Sequence, residues 1–226
     1  MQQKKPVTTA ARRQIVIAID GPSGAGKSTL ARSLARRLGF TYIDTGAMYR
    51  AVALWALRAR IDVDDLHRLE QLALAARIEF DGDKVLLNGE DVTPAIRQPE
   101  VTDAASRVAM APGVRKAMRA EQRRIGEMHS LVMEGRDIGT VVFPDAQVKI
   151  FLDADPQVRA GRRAKETGAA VSQVERDLAE RDQRDRSRRE APLTQAPDAE
   201  YVDSTGLSPE DVEEAILKIV RRRTSN

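Results

Sequence analysis

A glycine-rich octapeptide at residues 21–28, Gly-Pro-Ser-Gly-Ala-Gly-Lys-Ser, constrains the fold of this chain more than any other segment. It matches the pattern G-x-x-x-x-G-K-[S/T]. An isoleucine-rich apolar run at residues 15–20 precedes it, and leucines at positions 30, 34 and 38 follow at helical spacing up to Gly39. This order predicts a buried strand, a tight glycine turn and a helix over residues 28–38.

A turn of this kind gathers backbone N–H groups at a helix N-terminus, where they bind phosphate oxygens. We therefore expect a nucleoside triphosphate with Mg²⁺ at this turn. Lys27 is expected to reach the β- and γ-phosphates, and the Ser28 hydroxyl is expected to bind Mg²⁺. The residues predicted to surround the phosphates are Gly21, Pro22, Ser23, Gly24, Ala25, Gly26, Lys27, Ser28 and Thr29.

The rest of the chain alternates short apolar runs with helical patterns. Further strands are predicted at residues 40–43, 131–133, 148–152 and 200–203, and helices at residues 45–60 and 208–223. Strands separated by helices predict an α/β fold with a five-stranded parallel sheet covered on both faces. We expect a disordered leader over residues 1–14 and one domain over residues 15–226.

Residues 62–102 interrupt this alternation. Short apolar runs there are separated by Asp81-Gly82 and Asn88-Gly89, which are strong hairpin signals. The segment predicts a small antiparallel ribbon inserted into the α/β core.

Composition excludes several classes of site. The chain has no cysteine, so disulfides, thiolate zinc sites and cysteine nucleophiles are excluded, and its two histidines exclude a histidine-rich metal site. A net charge of +3 gives little support for nucleic-acid binding. The chain lacks an apolar run long enough to span a bilayer and a secretory pattern before residue 15, so we expect a cytoplasmic protein without nucleic-acid or membrane partners.

The sequence also lacks the N-K-x-D motif by which GTPases recognise guanine. A small-molecule kinase, a nucleotide kinase and a non-catalytic nucleotide-binding module remain open, and a basic RNA-binding surface is a more distant alternative.

Arginine supplies 29 of the 37 basic residues. An acceptor that is itself a phosphate already carries an anionic nucleophile, so such a site needs fixed positive charge rather than a strong base. Arg50 and Arg136 follow predicted strands, at the sheet edge where α/β folds bind ligands. Residues 176–189 hold six arginines and four acids. They predict either a salt-bridged surface helix or, with Arg162 and Arg163 before Gly168, a mobile lid over residues 157–190.

Four segments, at residues 19–28, 44–50, 134–144 and 180–186, together resemble the bacterial cytidylate kinase family of P-loop nucleoside monophosphate kinases. The resemblance runs from residue 15 to near the end of the chain, and residues 62–102 resemble the family's monophosphate-binding insertion. It implies transfer of the γ-phosphoryl group of ATP to CMP or dCMP, by a protein that we expect to be a monomer. Another small-metabolite P-loop kinase, or a nucleotide-binding regulator, is the alternative.

The resemblance also implies residue roles. The acceptor phosphate would be bound by Thr45, Arg50, Arg136 and Arg188, and the ribose by Arg181 and Asp185. The base would be recognised by Ser106, Arg115 and Asp137, which offer the acceptor and the donors that cytosine requires. Transition-state charge would be neutralised by Lys27, Arg162, Arg163, Arg181 and Arg184.

Overall fold

The computed structural model describes residues 14–225, so most of the predicted leader, residues 1–13, lies outside the described residues. The strands are β1 (Val16–Asp20), β2 (Thr41–Asp44), β3 (Ile78–Asp81), β4 (Lys84–Leu87), β5 (Glu90–Asp91), β6 (Leu131–Gly135), β7 (Val148–Asp153) and β8 (Glu200–Asp203). The helices are α1 (Lys27–Leu38), α2 (Thr45–Arg58), α3 (Leu66–Ala75), α4 (Pro99–Val108), α5 (Pro112–Gly126), α6 (Pro156–Thr167), α7 (Val171–Ser187) and α8 (Pro209–Thr224).

Five strands form one parallel sheet in the order β2-β6-β1-β7-β8, which confirms the predicted five-stranded parallel sheet. The central strand β1 is buried along its whole length. Its Val16 and Ala18 pack with α2, α4 and α5 on one face, whereas Ile17 and Ile19 pack with α1 and α8 on the other. A strand covered on both faces has no polar side, which explains its uninterrupted apolar sequence.

The register of the sheet aligns the carboxyl ends of its central strands. Asp20 at the end of β1 pairs with Gly135 of β6 and with Phe151 of β7. Asp44, at the end of β2, pairs with Glu134. The glycine turn after β1 and the loop after β6 therefore meet at one edge of the sheet.

A separate three-stranded antiparallel sheet, β3-β4-β5, confirms the predicted ribbon. Asn88 and Gly89 form its second turn, with φ of 52° and 84°, as a two-residue hairpin of this sequence requires. The first loop is Gly82-Asp83 rather than the expected Asp81-Gly82, because Asp81 still pairs with Lys84 in the ladder. The end predicted for the insertion, residue 102, lies inside α4.

The boundaries of the helices differ slightly from the sequence-based ones. α2 ends at Arg58 rather than at residue 60, and Arg60 has a positive φ of 51°, which a continuing helix does not allow. α8 begins at Pro209, with Ser208 as its N-cap accepting from the N–H of Asp211 at 3.1 Å. Across residues 14–225, every helix is too short or too polar to cross a bilayer.

Candidate active site

A cleft of about 1050 Å³ opens at the carboxyl edge of the parallel sheet. It is lined by the glycine turn, the start of α2 and the loop after β6. The antiparallel sheet, α4, α6 and α7 also contribute lining residues. The predicted site residues that line it are Ser23, Gly24, Ala25, Gly26, Lys27, Ser28, Thr29, Thr45, Arg50, Ser106, Arg115, Arg136, Asp137, Arg162, Arg163, Arg181, Asp185 and Arg188.

The glycine turn is held against β7. Gly21 has a φ of 149°, and a Cβ there would lie 1.9 Å from the carbonyl oxygen of Leu152, so only glycine fits. Gly21 and Pro22, at the start of the turn, are buried and do not line the cleft.

Lys27 is buried, and its Nζ donates to the carbonyl oxygen of Pro22 at 2.6 Å. Burial, together with the positive charges of Arg136 and Arg181, lowers the pKa of Lys27 to about 7. A cation in this environment is stabilised by an anionic ligand, as a phosphate-binding lysine should be.

Glu134, at the end of β6, faces the same part of the cleft. Its carboxylate accepts from the Tyr42 hydroxyl at 2.6 Å and lies near Ser28 and Lys27. Burial and the neighbouring Asp44 raise the pKa of Glu134, while Lys27 opposes the rise. A buried carboxylate is thus placed beside the predicted Mg²⁺ ligand Ser28.

The residues expected to hold the acceptor phosphate converge near Glu134. Thr45 is buried and donates to the carbonyl oxygen of Glu134 at 2.6 Å, and Arg50 is held by Asp44 at 2.8 Å. Arg136 donates through Nε to Asp185 at 2.8 Å. These contacts fix the orientation of each side chain.

Two more arginines lie in this group: Arg181 within α7 and Arg188 at the C-cap of α7. Arg188 is buried and donates through Nε to the backbone oxygen of Asp185 at 3.1 Å. Burial and the neighbouring Arg136 lower the pKa of Arg181 to about 10. Positive charge here therefore exceeds what the neighbouring carboxylates balance, which favours binding of a polyanion.

The predicted base-recognition residues are also buried. Arg115 donates to Asp137 at 2.6 Å, and the two side chains are only 2% and 8% exposed. The Arg115 guanidinium lies over the Tyr49 ring, 5.8 Å from its centroid. The Arg115 Nε is enclosed by protein and has no hydrogen-bond partner among the described residues.

The arginines expected to neutralise transition-state charge are not all together. Arg162 donates to the Ser204 hydroxyl at 3.0 Å, and Arg163 pairs with Glu166 at 2.9 Å. Arg184 instead donates to the Ser106 hydroxyl at 3.1 Å and lies outside the cleft lining. The structure therefore places Arg184 beside a predicted base-recognition residue and away from Arg162 and Arg163.

Several residues of the site were not identified from the sequence. They are Asp44, Glu134, Arg159 and Asp182, which contact predicted site residues, and Tyr42, which bonds Glu134. Asp44 carries a recognisable signal, because it is the N-cap of α2 and accepts from the N–H of Ala47 at 2.9 Å.

Asp20 has a structural role. Its two carboxylate oxygens accept from the N–H groups of Ile138 and Gly139 at 2.8 and 2.7 Å. These bonds tie β1 to the π-helical turn that follows Asp137.

Comparisons with known proteins agree with this geometry. The family described as cytidylate kinase matches residues 17–222. The chain is 62% identical over 222 residues to a cytidylate kinase of Solibacter usitatus (strain Ellin6076), covering 95% of this chain and 96% of that protein. It is 50% identical over 220 residues to a cytidylate kinase of Syntrophotalea carbinolica, covering 93% and 94% of the two chains.

Solved structures show the same fold at low identity. A gluconokinase from Sinorhizobium meliloti 1021 matches with a TM-score of 0.51 and 15% identity, over 95% of this chain and 97% of that chain. An uncharacterized protein from Eubacterium ventriosum matches with a TM-score of 0.54 and 13% identity, over 92% and 98% of the chains. With a family match over nearly the whole chain and relatives at 50–62% identity, this protein belongs to the cytidylate kinase family.

Proposed function

We propose that this chain transfers the γ-phosphoryl group of ATP to CMP or dCMP, giving ADP and CDP or dCDP. The observation that carries the proposal is the buried Arg115–Asp137 pair on the wall of the same cleft that the glycine turn lines. One end of the cleft suits a triphosphate, and the other offers a donor and an acceptor suited to a base. We also propose that it acts as a monomer, because one chain supplies both the phosphate-binding turn and the base-recognition pair that this cleft needs.

The arrangement of charge suits phosphoryl transfer between two phosphates. The oxygen of a monophosphate is already anionic, so the site needs no general base. The site must instead hold the donor and acceptor phosphates in line although they repel each other. Arg50, Arg136 and Arg188, oriented by Asp44 and Asp185, would bind the acceptor, and Lys27 would bind the donor.

The base-recognition pair favours cytosine over uracil. The Asp137 carboxylate accepts hydrogen bonds, so it suits the exocyclic amino group of cytosine and repels the carbonyl oxygen of uracil at that position. Arg115, a guanidinium on the cleft wall, would supply a donor for the acceptor atoms of the ring. Asp137 is thus the residue expected to select the base.

The residues near the glycine turn also fit Mg²⁺. Among residues 14–225, no three acidic or histidine side chains form a metal cluster, so protein ligands alone do not enclose an ion. Mg²⁺ commonly binds through one or two protein oxygens together with phosphates and water. Ser28, with Glu134 nearby, would hold it, and bound Mg²⁺ would neutralise charge on the donor phosphates.

A coupled assay of ADP formation tests the proposal with CMP, dCMP, UMP, AMP and shikimate as acceptors. We expect turnover with CMP and dCMP to exceed the others by at least ~100-fold in kcat/KM. Asp137→Asn should lower kcat/KM for CMP by ~100-fold or more and affect UMP less. If CMP gives no more turnover than buffer while shikimate or AMP is phosphorylated, the proposal is wrong.

A further inference from the structure

Two buried charged residues, Arg159 of α6 and Asp182 of α7, lie beneath the glycine turn. Each is 6% exposed, and Arg159 Nη1 lies 2.5 Å from Asp182 Oδ2. Burial of two charges is unfavourable unless their remaining polar atoms are also bonded. Their other partners are therefore informative.

The pair holds both peptide groups of Ser23. Asp182 Oδ1 accepts from the Ser23 N–H at 3.2 Å, and Arg159 Nη1 donates to the Ser23 carbonyl oxygen at 2.9 Å. Arg159 Nε donates to the carbonyl oxygen of Ala154 at 3.0 Å, which anchors the guanidinium to the end of β7. Ser23 is thus fixed on both sides of its Cα.

The orientation of the Ser23–Gly24 peptide matters for phosphate binding. A phosphate-binding turn directs N–H groups toward the anion, so its carbonyl oxygens must point away and find donors elsewhere. Gly24 has a φ of +78° and no Cβ to restrict this peptide, and α6 approaches so closely that a Cβ would lie 3.1 Å from the Arg159 carbonyl oxygen. Arg159 supplies the donor that keeps the Ser23 carbonyl turned away.

The same helix reaches the acceptor side of the cleft. Asp185, one turn after Asp182 on α7, accepts from Arg136 Nε at 2.8 Å. Arg136 Nη2 in turn donates to the Ser23 hydroxyl at 2.8 Å. Ser23 is therefore bonded to α6, to α7 and to an arginine expected to hold the acceptor phosphate.

We propose that Arg159 and Asp182 are positioning residues that set the donor loop and the acceptor arginine together. They hold the Ser23–Gly24 peptide with its carbonyl away from the donor phosphates and hold the Ser23 hydroxyl against Arg136. The acceptor half of this inference, the placement of Arg136, rests on the proposed function. The donor half, the shape of the glycine turn, concerns nucleotide binding alone.

Arg159→Lys is the first test variant. A lysine keeps the charge beside Asp182, but its single nitrogen cannot also bond the carbonyl oxygens of Ser23 and Ala154. ADP affinity measured by calorimetry should fall at least ~5-fold, and KM for ATP should rise by a similar factor, because the loop loses its preferred shape.

A second variant, Arg159→Met/Asp182→Leu, separates positioning from stability. Removing one partner alone leaves a buried charge, whereas removing both restores a neutral interior and keeps the protein folded. We expect a melting temperature above that of Asp182→Asn, yet ADP affinity at least ~10-fold below that of the native protein. The matched control is Asp198→Asn, which breaks the Lys149–Asp198 ion pair outside the cleft and should leave ADP affinity unchanged.

The inference would be overturned if Arg159→Lys bound ADP as tightly as the native protein. It would also be overturned if the double variant, with a melting temperature above that of Asp182→Asn, bound ADP that tightly. KM for CMP, measured in parallel, should rise in both variants, because the Ser23 hydroxyl that Arg136 bonds is no longer held in place, although the Arg136–Asp185 contact remains. If the native protein does not phosphorylate CMP, the proposed function fails, but the ADP measurements still decide the donor half of this inference.

Discussion

Individual side chains in the cleft carry charge that the protein alone does not balance. Arg136, Arg181 and Lys27 lie close enough for each arginine to lower the pKa of Lys27, even though Glu134 and Asp182 oppose the effect. A protein that keeps such a group buried does so at a cost in stability, and binding of a polyanion removes that cost.

Lys27→Ala tests the role of the buried lysine. We expect kcat to fall by at least ~100-fold because the donor phosphates lose a fixed positive charge. The fold should stay intact, since burial already lowers the pKa of Lys27 to about 7 and its charge does not stabilise the folded state. Steady-state kinetics and thermal melting check both points, with Lys84→Ala, an exposed residue of β4, as control. Near-normal turnover would refute the role of Lys27.

Titration of Asp20 should make the stability of the protein depend on pH. Burial raises its pKa to about 6, although the N–H groups of Ile138 and Gly139 oppose the rise. Between about pH 4 and 6 the folded protein therefore keeps a proton here that the unfolded chain has released, so the free energy of unfolding falls as pH rises through this range. Above about pH 6 the contribution is constant.

Urea unfolding of the native protein and Asp20→Asn across this range measures the effect. The native-minus-variant difference in unfolding free energy should decrease by on the order of 3 kcal/mol from pH 4 to 7. A difference that stays constant with pH would show that the carboxyl group has an ordinary pKa.

At the scale of helices and strands, the apolar strands were the easiest elements to predict. β1, β6 and β7 are covered on both faces, so most of their residues are apolar, and the acidic residues lie at or near the strand ends. Sequence patterns failed where helices bury polar residues. Ser106 of α4 and Arg115 of α5 have the pattern of exposed helix residues, yet they are 7% and 1% exposed, because Arg184 bonds Ser106 and Asp137 pairs with Arg115.

The charge pattern of α7 is a second case in which the sequence does not predict burial of polar residues. Its alternating acids and arginines are typical of a solvated helix. The structure buries Asp182 and Asp185 on one face, where they bind Arg159 and Arg136 across the fold. Periodicity cannot reveal such partners, because they lie 23 and 49 residues away in sequence. Only the resemblance to a family assigned roles to Asp185, Ser106 and Arg115 beforehand.

Two glycines with ordinary backbone angles form a matched pair of substitutions. A Cβ on Gly135, at the end of β6, would lie 2.6 Å from Ile138 Cδ1 and 2.8 Å from Thr45 Oγ1, whereas a Cβ on Gly161 of α6 would meet nothing within 4 Å. Gly135→Ala should destabilise the protein by about 1–3 kcal/mol and raise KM for CMP by displacing Thr45.

Gly161→Ala should instead stabilise the protein by about 0.5–1 kcal/mol, because alanine loses less backbone entropy in a helix. Thermal melting compares the two variants directly. Equal changes in melting temperature would mean that the space around each Cβ does not determine the change in stability.

At the scale of the whole molecule, strand order explains why the proposed donor and acceptor sites adjoin. β1 lies between β6 and β7, so the glycine turn after β1 stands beside the Arg136–Asp137 loop after β6. α2, which begins directly after β2, brings Thr45 and Arg50 to the same edge. The long chain between α2 and β6 folds as the antiparallel sheet with α3, α4 and α5, and this part supplies Ser106 and Arg115.

Chromatographic measurement of ADP and CDP shows directly whether the protein transfers a phosphoryl group to CMP. The native protein is incubated with ATP, Mg²⁺ and CMP, and the initial rates of ADP and CDP formation are compared with those of Lys27→Ala. We predict that ADP and CDP form at equal rates, that omission of CMP abolishes nearly all ADP formation, and that Lys27→Ala forms neither at an appreciable rate. ADP released without CDP, or CDP formed equally well by Lys27→Ala, would contradict the proposed reaction.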